Sequence, residues 1–145
     1  LKTLLSERVA AYGILLITSL SVVFHLLVLA RVVPSDIVWG GGQKDAQQLL
    51  VLESVSIAIN LLIWAVVAVR VGWLKLAINA TVIRVALWLM VGVFALNTVG
   101  NLFSTNRFEK AAFTPVTLLL ALFSLRLALG SRLGKQPTTA AQAKA

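Results

Sequence analysis

Two residues in this sequence belong to the types that move protons or hold charged groups, and both sit in stretches too apolar to be wet. They are Glu53 and His25, the chain's single histidine. Each is embedded among Leu, Val, Ile and Ala. A charged side chain at hydrocarbon depth costs about 2.5–3.5 kcal/mol on insertion scales, so a carboxyl group there is expected to have a partner and a use. A carboxyl and an imidazole at one depth could relay a proton, hold a cationic group, or serve as general acid and base.

Hydrogen-bonding groups at matching positions complete the candidate ligand-binding set, which is His25, Glu53, Asn97, Asn101, Thr114 and Thr117. Asp36, Trp39 and Glu109 fall in the connections and are placed to form a lid. No catalytic residue is assigned, and an activity as an enzyme is not the favoured expectation. Cofactors and metals are expected to be none. Without cysteine and with one histidine, the chain offers no thiolate nucleophile, thiolate metal site or multi-histidine site.

The spacing of these residues follows the helical repeat, which puts positions three or four apart on one face. Thr18, Ser21 and His25 form one stripe, and Glu53, Ser56 and Asn60 a second. Asn97, Asn101 and Ser104 form a third, with Thr114, Thr117, Ala121 and Ser124 as the fourth. Four inward stripes would make a bundle with a polar interior. The plainer alternative is that Thr18, Ser21, Ser56, Asn60 and Ser124 join helices, a role worth about 0.6 kcal/mol each on average.

The elements that must position these groups are long apolar runs. Of 145 residues, 59% are apolar and only 12% charged, far from the quarter charged that is ordinary for soluble chains. Roughly 20 apolar residues in a helix cross the hydrocarbon core, and these runs lack the alternation of a barrel strand. The sequence predicts an all-α membrane protein, an antiparallel four-transmembrane-helix bundle. Its helices are expected at about 9–30, 46–69, 76–103 and 111–129 within one domain of residues 1–133, followed by a disordered cytoplasmic tail over 134–145. The first run is too long for a signal-peptide core and reads as a retained helix. For the fourth helix an early start near Lys110 is preferred, with Pro115 inside the first turns, where proline removes few helical hydrogen bonds.

With four spans, both termini share a side, and that side carries most of the Lys and Arg, including Lys2, Arg8, Arg70, Lys75, Arg132 and Lys135. The positive-inside bias therefore predicts an N-in/C-in protein of a bacterial inner membrane. The net charge of +8 is accounted for by this placement and not by nucleic-acid binding. Arg84 and Arg126 are expected to extend toward the cytoplasmic interface; if both faced inward they could hold a phosphate. Gly40-Gly41-Gly42 lacks the following Lys-Ser/Thr of a P-loop and reads as a flexible turn.

The expected function is a polar pocket near the extracytoplasmic leaflet that binds or transports a small or amphiphilic ligand, with a possible link to protons. The expected partners are membrane lipid and that ligand, and a homodimer or a larger membrane complex is open. Two alternatives stand beside it: a membrane enzyme using Glu53 and His25 as acid and base on a lipid-like substrate, and a non-catalytic accessory subunit.

Overall fold

Three of the four apolar segments begin where a polar side chain satisfies the free amides of a first turn. Ser6 accepts from the Val9 amide at 3.1 Å, Asp45 from Gln48 at 2.7 Å, and Asn79 from Thr81 at 2.8 Å. Such caps are worth about 1 kcal/mol each. They open α1 (Glu7–Leu29), α2 (Ala46–Arg70) and α3 (Ala80–Phe103). The computed structural model describes residues 5–34 and 45–130, and every regular element among them is helical. Asp36, Trp39 and the expected tail over 134–145 lie outside the described residues.

The fourth helix starts differently. A π-helical turn, Glu109–Phe113, leads directly into α4 (Thr114–Ala128) with Pro115 in its first turn. Proline has no amide to donate, and the wider π turn accommodates the chain just before it. Helical winding thus precedes Pro115, as the early start requires. The third helix begins later than Leu76, at Ala80, because Asn79 caps it and residues 73–79 stay exposed. At the end of α2, Gly72 takes φ +81°, a left-handed conformation that glycine adopts without a Cβ penalty.

All four helical segments are long and apolar enough to cross a membrane, at 19 to 25 residues each. Their outward faces carry Leu16, Leu62, Leu89 and Leu96, each more than 60% exposed, a surface suited to lipid and not to water. Inside, α1 packs against α2 and α4, and α3 packs mainly against α4, while α2 and α3 touch over a shorter stretch.

The buried apolar residues fall into two clusters. The larger takes residues from all four helices, among them Ile14, Val67, Leu87, Phe94, Leu120 and Leu127. The smaller contains Val28 and Leu49, with Phe24, Val33 and Phe113 against it. The polar residues of interest lie between these two clusters in the chain's register.

Candidate functional site

His25 is about one turn from the end of α1, and Glu53 is about two turns into α2. Their helices pack so that Nδ1 of His25 lies 2.6 Å from Oε2 of Glu53. Residue Glu53 has no exposed surface, whereas the His25 side chain is 15% exposed. At 2.6 Å the contact is short for a nitrogen–oxygen hydrogen bond. The Phe24 ring meets His25 and Phe113 edge-on at centroid distances of 5.7 and 5.9 Å, so the second cluster extends to His25.

A second polar group joins α3 to α4. The Thr117 hydroxyl donates to the Phe113 carbonyl at 2.8 Å and accepts from Thr98 at 3.0 Å and from the Asn101 amide at 3.4 Å. Oγ1 of Thr114, one turn earlier, is buried without a hydrogen-bond partner. Of the six expected ligand-binding residues, the structure joins His25 to Glu53 and Asn101 to Thr117, with Thr114 beside the latter. Asn97 is exposed on the outer side of α3. Buried Ile83, Leu87, Met90 and Phe94 set the inward face of that helix, and Thr98, next to Asn97, turns toward α4. The backbone of Glu109 opens the π-helical turn.

The remaining stripe residues are mostly satisfied within their own helices. Thr18 donates to the Ile14 carbonyl at 2.8 Å, and Asn60 to the Ser56 carbonyl at 2.9 Å. Ser124 is fully buried with its hydroxyl unpartnered. A groove of about 570 Å³ runs along the first turns of α2, lined by Asp45, Gln47, Gln48, Val51 and Leu52. Helical periodicity places most of its lining away from the Glu53 face, so the groove gives no direct route to the pair.

The opposite end of the bundle holds a cluster that the stripes did not reveal. Glu7, in the first turn of α1, meets Arg70 at 3.1 Å and Arg126 at 3.2 Å. Arg126 Nε also donates to the Leu5 carbonyl at 2.6 Å, and Arg70 to the Gly130 carbonyl at 3.3 Å. Arg126 is buried at 8% exposure, because Glu7 and Leu5 at the start of α1 provide its partners there. Arg84 is exposed, so the two arginines do not meet. Near this end, Trp73 packs on Tyr12 and Trp64 at centroid distances of 5.6 and 6.5 Å.

Glu7 and His25 are five helical turns apart, which returns to the same face of α1 about 27 Å further along. Buried Ala11, Ile14 and Thr18 fill the stripe between them. Comparison with known protein families, with curated proteins and with solved structures found no match.

Proposed function

We propose that this chain is a multi-pass membrane protein whose His25–Glu53 pair forms the polar centre of a site for a small amphiphilic ligand with a cationic head. The observation that carries the reading is a carboxylate with no exposed surface, 2.6 Å from an imidazole, within helices long and apolar enough to span a bilayer. A carboxylate at that depth attracts a cation, and the Phe24 ring against His25 favours both a cationic and an apolar ligand surface. Entry of a cation would displace His25 from Glu53, so ligand binding and the imidazole–carboxyl contact exclude each other.

The same reading arranges the four helices antiparallel with both termini in the cytoplasm of a bacterial cell. The Lys and Arg distribution supports that orientation, and the pairing of Glu7 with Arg70 at one end of α1 and of His25 with Glu53 toward the other is consistent with it. The site then lies near the extracytoplasmic leaflet, with Asn101, Thr114 and Thr117 on its α3–α4 side.

The test is binding of the lipophilic cation tetraphenylphosphonium to purified protein in nanodiscs. Wild type should bind it, and Glu53→Gln, which keeps the shape and removes the charge, should weaken binding at least about tenfold, equivalent to about 1.4 kcal/mol. Equal binding by both proteins, or none by wild type, would overturn the cationic-ligand reading. One observation favours a second reading, an accessory subunit in which the pair only specifies helix packing: Glu53 is closed over in this conformation. A stoichiometric membrane partner recovered with the protein would support it.

A further inference from the structure

Glu7 is the junction of three helices. Its carboxylate is shared by the last residue of α2, Arg70, and by Arg126 in the last turn of α4. Both guanidinium groups are nearly buried, with side chains 8% and 10% exposed, and Glu7 itself is 12% exposed. Two cations around one carboxylate would suit an anion such as phosphate if space remained. On the Gly130 side it does not, because a Cβ added there would collide with the Glu7 carboxylate. Among the described residues, Gly130 covers the carboxylate on that side.

We propose that Glu7, Arg70 and Arg126 form an ionic clasp that shuts this end of the bundle and must open for the polar layer to be reached from that side. The inference rests on the reading of the His25–Glu53 pair as a ligand site. Three features carry it. The ion pairs reach from α1 to both of its neighbours at the helix ends, where water can replace them when they part. The carbonyls of Leu5 and Gly130, just outside α1 and α4, are tied into the same cluster, so parting it frees both flanking segments. α1 carries the clasp and the site on one face, so a tilt of this helix that opens Glu7 also moves His25 relative to Glu53.

Gly13 provides the point about which α1 could tilt. A Cβ there would collide with the Phe123 ring, so the backbone of α1 lies directly against an α4 side chain at a position between the clasp and the site.

The test uses the absence of cysteine from the chain. Ser124→Cys places a thiol at a fully buried position beyond the clasp, and Val28→Cys places one at a 1% exposed position in the other cluster. Full-length protein in nanodiscs is treated with a water-soluble maleimide, with and without Glu7→Gln. Loss of the Glu7 charge should speed labelling at position 124 at least about tenfold, a local opening, and leave position 28 unchanged. Unchanged rates at position 124, or equal acceleration at both positions, would overturn the clasp. Gly130→Ala keeps every charge and forces a methyl group onto the Glu7 carboxylate. It carries the same expectation if Glu7→Gln does not yield folded protein. No ligand enters this test, so its failure leaves the Glu53 binding result standing, and the reverse also holds.

Discussion

Nδ1 of His25 stands 2.6 Å from Oε2 of Glu53 across the α1–α2 contact, and the carboxylate is shut off from the surface. As a means of joining two helices this is costly. Burying polar groups costs free energy that their hydrogen bonds must offset, and apolar residues of similar volume often serve stability as well or better. The other polar stripe residues of α1 and α2 show the cheaper solution, with Thr18 and Asn60 bonded to carbonyls of their own helices. The pair is thus the feature of this bundle least explained by packing.

Removing one member of the pair should be worse than removing both. Glu53→Ala leaves the His25 Nδ1 without its acceptor and should lower unfolding free energy by about 1–3 kcal/mol. Denaturant or thermal unfolding in matched lipid or detergent measures this, and a change within a few tenths of a kcal/mol would count against a tight pair.

Thr117→Val keeps the shape of the side chain and removes the hydroxyl that accepts from Thr98 and Asn101. A loss of about 1–2 kcal/mol is expected, since the Asn101 amide then has one partner fewer. Thr98→Val should cost less, because Asn101 keeps its contact with Thr117. Similar losses for the two variants would show that the Thr117 hydroxyl is not the centre of this group.

Gly13→Ala should destabilise the bundle by about 1–3 kcal/mol, because the methyl group meets the Phe123 ring and forces it aside. Gly92→Ala is the control, since a Cβ there meets nothing within 4 Å. It should be neutral or slightly stabilising, as alanine favours a helix more than glycine does. Melting temperatures of the two variants decide the matter.

Asp45→Ala removes the cap of the helix that carries Glu53 and should cost about 0.5–2 kcal/mol. Asp45→Asn should restore most of it, as an amide oxygen caps nearly as well. Failure of Asn to restore stability would mean that the charge and not the cap matters at this position.

Much of this was legible in the sequence, and the limits are physical. The four helices followed from run length and composition, and the partnership of His25 with Glu53 from their similar depth in neighbouring helices. Asn97 was placed with Asn101 because both lie on one helical repeat. The inward face of α3 is set instead by Ile83, Leu87, Met90 and Phe94, and that brings Thr98 toward Thr117. One residue on a helix is about 100° of rotation, more than polarity alone can resolve near the edge of a face. Arg126 reads as a side chain reaching for the interface, and nothing in the sequence singles out a partner for it. Its pairing with Glu7 depends on how α1 and α4 come together, which no single-helix pattern contains.

The most direct measurement of the central claim, that the pair is present for function and not for stability, is the unfolding free energy of His25→Leu/Glu53→Leu beside wild type. If the pair serves a site, the double variant should be as stable as wild type or more stable by about 1–4 kcal/mol, since two apolar side chains replace a buried carboxyl group and a partly buried imidazole. A double variant less stable than wild type by as much as the single variants would contradict the account and show that the pair holds the helices together.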